Sequence, residues 1–344
     1  MHLLLPIRIR EDGVSRSGAA GRGGPLCIAF FAVIIAIAGC GHPGGNGEKP
    51  ALEFGSVPAT EAQVIAAVKE AETSKHLPAW ITPNELVKSA EDDSSLWALP
   101  DCNPDYEVSS LTDINPCTVG APAGAHTMVV IGDSNASMWA RGLDYVGRRT
   151  DWRIIVLAKD NCGPATMTYY QWQLKRDLTE CNAWQQWRMD QIKLLKPDMV
   201  VLSGWYDGDK GIAGPTRTFT PEMWRDALVT TVQQIPSDAK TVLLGDIPHI
   251  TEPAGECLAQ NSADISRCAQ KASDVVPVYA NDALRDAAAA TGALYVDVTR
   301  WFCAQTCPAV IAGVVAYAGI YHTTHDYARY LSGVLEGALR PAMG

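Results

Sequence analysis

Gly132-Asp133-Ser134-Asn135-Ala136 follows directly on a β-branched run, His126 to Ile131, so Ser134 stands where a buried strand gives way to a helix. A serine there has the open N–H groups of a helix start beside it to hold a developing oxyanion. Its hydroxyl is almost never ionised at neutral pH, so it needs a base. The far end of the chain offers one. Ala316-Tyr317-Ala318-Gly319-Ile320-Tyr321-His322-Thr323-Thr324 lies between the last strand and the C-terminal helix, which puts His322 on the same rim although the two residues are 188 positions apart. Serine attack assisted by histidine is the chemistry of acyl transfer through an acyl-serine ester. Both residues also have plain structural readings: Asp133 and Ser134 as caps of the next helix, His322 as a surface histidine. His325, one turn on, is expected to be a solvated helix residue. No metal or cofactor is expected, because the chain has no CxxC unit and Cys303-x-x-x-Cys307 lacks a second half at zinc-site spacing.

Bringing two such distant residues to one rim requires a sheet. Near-continuous apolar runs at His126 to Ile131, Trp152 to Ala158, Asp198 to Leu202, Thr241 to Leu244 and Ala293 to Val298 suit strands buried on both faces. Helical patterns alternate with them at Ala183 to Lys196, Pro221 to Ile235, Val278 to Thr291 and Asp326 to Leu339; Thr220-Pro221 is a start signal. That alternation predicts right-handed crossovers and a doubly wound sheet, with ligands beyond the carboxyl ends of the strands. Upstream, Glu61 to Lys75 and Pro83 to Ala90 read as short helices, and Asp92 to Ala125, rich in Pro, Asp and Ser, as loop.

The 344 residues carry 28 Lys and Arg against 38 Asp and Glu, with no internal basic run, which argues against a nucleic-acid partner. Pro25 to Gly39 is an uncharged apolar run behind Arg8, Arg10, Arg16 and Arg22, the pattern of an export signal, and short for a membrane span. Its end, Ile37-Ala38-Gly39-Cys40, resembles the lipobox of bacterial lipoproteins, in which the cysteine is lipidated; an ordinary hydrophobic anchor is the plainer reading. The long basic segment before it also allows a start downstream of Met1. From Cys40 onward the balance is 24 basic to 36 acidic residues, and after residue 40 no run approaches the length of a membrane span. Eight further cysteines, an even number in an oxidising compartment, are expected to pair with their nearest neighbours: Cys102–Cys117, Cys162–Cys181, Cys257–Cys268 and Cys303–Cys307.

Several motifs in order resemble the SGNH (GDSL-like) hydrolase superfamily, and more narrowly the extracytoplasmic SGNH domain attached to bacterial membrane O-acyltransferases. They are Val129 to Trp139, Asn161 to Pro164, Cys181 with Trp184, Lys196 to Trp205, Leu243 to Pro248, and Val296 to Cys307 before the His322 loop. The resemblance implies a flavodoxin-like three-layer α/β/α sandwich, here with a mostly parallel five-stranded sheet stapled by disulfides. With the N-terminal readings, the expected division of the chain is a signal at 1–39, lipidated Cys40 and tether to 58, a helical and loop extension at 59–125, and the SGNH-like domain at 126–344. Carried over, Ser134 is the nucleophile and His322 the base, with Asp133, Asn135, Asn161 and Gly163 around the oxyanion.

Three positions depart from the pattern. The family usually has Asp three residues before the histidine, where this chain has Gly319, without a side chain to orient the imidazole. Asn135 replaces a common His, and Ser203-Gly204-Trp205-Tyr206-Asp207 stands where a Gly-x-Asn block would supply an oxyanion donor. The implied activity is transfer or hydrolysis of O-linked acyl groups on a cell-envelope glycan or lipid, at the outer face of the bacterial cytoplasmic membrane, with a separate membrane protein as a candidate acyl donor. The alternative, motivated by Gly319, is a catalytically impaired lipoprotein that binds glycan or scaffolds an envelope complex, using aromatics such as Trp139, Tyr170, Trp172, Trp205 or Tyr206.

Overall fold

The apolar run at 126–132 has no polar alternation, so it forms a strand only where both faces are covered. In the computed structural model, which describes residues 52–344 except 54, 100, 206–213, 216 and 218, it is the centre of a six-stranded sheet. The strands are β1 (Thr118–Gly120), β2 (His126–Gly132), β3 (Trp152–Ala158), β4 (Met199–Ser203), β5 (Lys240–Leu244) and β6 (Leu294–Val296), in the order β1-β3-β2-β4-β5-β6. Five are parallel; β1 runs antiparallel along β3 at the edge. The sheet therefore has one strand more than the five expected. Thr118-Val119-Gly120 is too short to carry a periodic signal and gains its strand geometry from β3.

The chain leaves β2 for β3 on one side and returns to β4 on the other, so the order reverses at β2. In open α/β sheets that reversal opens the ligand crevice at the carboxyl ends. Register sharpens this: Gly132 lies opposite both Ala158 and Ser203, so the turns after β2, β3 and β4 emerge level with one another.

The helices are α1 (Glu61–Ala71), α2 (Pro83–Ala90), α3 (Ser134–Ser137), α4 (Ala140–Thr150), α5 (Thr179–Leu195), α6 (Pro221–Gln234), α7 (Ala254–Gln260), α8 (Ala272–Val275), α9 (Val278–Thr291), α10 (His325–Tyr330) and α11 (Ser332–Met343). Contacts group α4 with α10 and α11, and α6 with α9, as the two helical layers. The C-terminal helix expected as one piece is two, with Leu331 closing α10 and opening α11. Upstream, α1 packs on α11, and α2 packs on α7 and on the short hairpin Tyr317–Ala318/His322–Thr323. Thr82 caps α2, accepting from the Glu85 N–H with Pro83 behind it. Disulfides join Cys102 to Cys117, Cys162 to Cys181, Cys257 to Cys268 and Cys303 to Cys307. Cys40 and the export segment lie outside the described residues. No helix among the described residues is long and apolar enough to cross a membrane.

Candidate active site

Ser134 begins α3 two residues beyond β2. Gly132 allows this turn: its φ is +156°, and a Cβ there would lie 1.6 Å from the Ser203 carbonyl oxygen, so only glycine lets β2 and β4 close at this level. Asp133 is buried and accepts the N–H of Asn135 at 2.9 Å and that of Trp205 at 3.1 and 2.9 Å. It thereby caps α3 and ties the turn after β4 to the turn after β2. Burial pushes its carboxyl up to about 7, against the pull of those two N–H groups, with Asp246 and Asp160 adding to the rise.

His322 arrives on the hairpin strand and is 8% exposed at its side chain. Its Nε2 lies 2.8 Å from Ser134 Oγ, and its Nδ1 lies 2.9 and 3.0 Å from the two oxygens of Asp92. A carboxylate only accepts, so Nδ1 carries the hydrogen and Nε2 is left to accept from the serine hydroxyl. One face of the imidazole is covered by Trp97, stacked at 4.0 Å between ring centroids and 11° between planes. Trp97 in turn donates its Nε1–H to the Asp92 carbonyl at 3.3 Å.

The remaining candidates divide. The carboxamide of Asn135, directly after the serine, is buried with no hydrogen-bond partner among the described residues. Asn161 is in the left-handed region at φ +55° and donates its Nδ2–H to the Tyr106 hydroxyl at 3.3 Å. Gly163 is pressed against Tyr169, and its carbonyl accepts from the fully buried Arg188 at 3.0 Å, as the Pro164 carbonyl does at 2.7 Å. Asp160, beside Asn161, is raised by burial. Opposite, Trp205 meets Tyr321 at 5.0 Å, and His249, bonded through Nε2 to Asp246 at 2.8 Å, packs near both rings.

Of the other aromatics, Trp139 is core, wedged on Trp301 and Phe302, and Trp172 is exposed beside Tyr170. Tyr206 lies outside the described residues. His325 is half-buried rather than solvated: desolvation and the nearby Arg141 hold it down at about 4, although it bonds to the Trp97 backbone. Among the described residues no group of His, Cys, Asp and Glu could hold a metal ion.

The model of the SGNH domain described as fused to AT3 domains matches residues 101–337. The chain belongs to the SGNH family. The SGNH fold recurs in the solved periplasmic domain of a lipopolysaccharide acetyltransferase of Salmonella ser. Paratyphi A, at 16% identity and a TM-score of 0.51, over 69% of this chain and 91% of that one. A carbohydrate esterase family 2 enzyme from Corynascus thermopiles (Myceliophthora fergusii) also matches, at 18% identity and a TM-score of 0.40, over 65% of this chain and 68% of that one. No curated protein sequence matches significantly. As an SGNH chain, this protein is of the acyl-ester hydrolase and acyltransferase kind.

Against the SGNH pattern, Gly319 does leave position 319 without a carboxylate, but the imidazole is not left without one. Asp92 and Trp97, both upstream of the family match, escaped the sequence reading. Asp92 is one of many acids in a loop-like stretch, and the only sign of it was the gap at Gly319.

Proposed function

We propose that the chain is an extracytoplasmic acyl-ester enzyme, an O-acyltransferase or acylesterase of a cell-envelope glycan or lipid, with Ser134 as nucleophile and His322 as general base. The observation that carries this reading is the 2.8 Å contact between Ser134 Oγ and His322 Nε2, on an imidazole whose Nδ1–H is already engaged. As Oγ attacks the acyl carbonyl carbon, its proton passes to Nε2, and the resulting imidazolium returns it to the departing alkoxide oxygen. Water or an acceptor hydroxyl then attacks the acyl-Ser134 ester, giving its own proton to Nε2, and Ser134 Oγ leaves with that proton. The Ser134 N–H, with a donor from the Asn161–Gly163 turn, holds the oxyanion in this scheme.

The finer assignments have separate support. The family's description as fused to AT3 domains supports a membrane protein as acyl donor, and the acetyltransferase neighbour a glycan acceptor. Export and lipid attachment through Cys40, and the divisions at 39 and 58, rest on the N-terminal motif, and the boundary at 126 rests on the SGNH motifs. The impaired-lipoprotein alternative was motivated by Gly319, and the carboxylate found at His322 Nδ1 removes that motive. Turnover of p-nitrophenyl acetate tests the reading: Ser134→Ala and His322→Ala should each lose about 10³-fold or more in kcat, and residual rates equal to wild type would refute it.

A further inference from the structure

Gly319 has φ +56°, and a Cβ built on it would lie 2.6 Å from both Cβ and Cγ of Asp92. The space that a side chain at 319 would occupy is therefore filled by Asp92, so the two positions compete for one socket beside His322 Nδ1. Everything around the socket holds Asp92 in it. The Gly319 N–H donates to the Ser89 carbonyl at 2.7 Å, and the Ser89 hydroxyl to the Tyr317 carbonyl at 2.7 Å, which docks the end of α2 on the hairpin that carries His322. Asp92 itself takes a left-handed backbone conformation, φ +53°, two residues beyond α2. The next residue, Asp93, accepts the Ser95 N–H at 2.8 Å and opens the turn that delivers Trp97 onto the imidazole.

We infer that Asp92 is the positioning carboxylate of His322, supplied by the segment upstream of the family domain in place of a residue at 319. Gly319 is glycine because the socket is already occupied. The inference rests on the Ser134–His322 reading. It adds that the extension containing α2 completes the active site, and that the carboxylate can be moved between two backbone positions without changing its partner atom. Asp92 touches no reacting atom. It holds the tautomer in which Nε2 accepts, and it stabilises the imidazolium that forms during attack.

The test uses the full chain in four forms: wild type, Asp92→Asn, Asp92→Gly, and the double variant Asp92→Gly/Gly319→Asp. Asparagine keeps the shape of Asp92 but can present its N–H₂ to Nδ1, favouring the wrong tautomer. The expected loss is about 10²–10⁴-fold in kcat on p-nitrophenyl acetate, with KM changed less than threefold, by analogy with loss of the orienting carboxylate in a serine protease triad. The wild type should also show a strongly downfield Nδ1–H proton resonance that Asp92→Asn lacks. In the double variant, aspartate is among the residues that tolerate a left-handed φ best, and kcat should recover at least tenfold over Asp92→Gly. Wild-type kcat in Asp92→Asn, a retained downfield proton, or a double variant no faster than Asp92→Gly would overturn the inference. The two claims separate cleanly, because a dead Ser134→Ala beside a fully active Asp92→Asn removes only this one.

Discussion

Asp133 is buried and His325 half-buried, and the two make stability depend on pH in opposite senses. Asp133 has its folded pKa raised from 3.8 to about 7, mainly by burial, so the stability tied to its neutral form is full below about 4 and lost as pH rises through 7. His325 has its folded pKa lowered from 6.5 to about 4, by burial and by Arg141 and Arg329, with Asp326 and the Trp97 backbone pulling the other way. Its contribution is full above 6.5 and lost as pH falls through 4. The two slopes overlap between pH 4 and 6.5 and oppose one another in the wild type. In Asp133→Asn, whose remaining carbonyl oxygen can still accept from Asn135 and Trp205, Tm should rise with pH across that window by several °C. In His325→Gln it should fall. Scanning calorimetry at half-unit pH steps reads both, and parallel curves for the two variants would refute the assignment.

At the scale of elements, the site depends on strands β2, β3 and β4 ending level, and Gly132 is the residue that permits it. Gly132→Ala would force a methyl into the Ser203 carbonyl. It should cost on the order of 3 kcal/mol in urea unfolding and lower kcat, because β4 must move together with the Trp205 N–H that holds Asp133. An unchanged urea midpoint would contradict this geometry. The strand runs and Thr220-Pro221 were legible from residue type, because burial on both faces and helix capping are local demands that leave local patterns; the close approach of Ser203 that requires glycine at 132 was not. The edge strand β1 was not, since three residues paired only along β3 carry no period. Nor was Asp92: what selects it from the acids around it is contact with a histidine 230 positions away, and such contacts leave no mark on the neighbouring sequence.

Across the whole molecule, each disulfide closes a short local loop, and Cys162–Cys181 anchors the turn after β3 to α5, where Arg188 also grips it. Replacing both cysteines with serine should lower unfolding free energy by about 2–5 kcal/mol, read as a lower urea midpoint. An unchanged midpoint would mean that Arg188 alone suffices to hold that turn. Extension, hairpin and sheet converge on Ser134 and His322, so the account stands or falls on whether that serine is nucleophilic. The most direct measurement is intact mass and peptide mapping after treatment with a fluorophosphonate. A single adduct on Ser134 in the wild type, absent from Ser134→Ala and slowed in His322→Ala, is the predicted result. No adduct in the wild type, or equal labelling of Ser134→Ala, would contradict it.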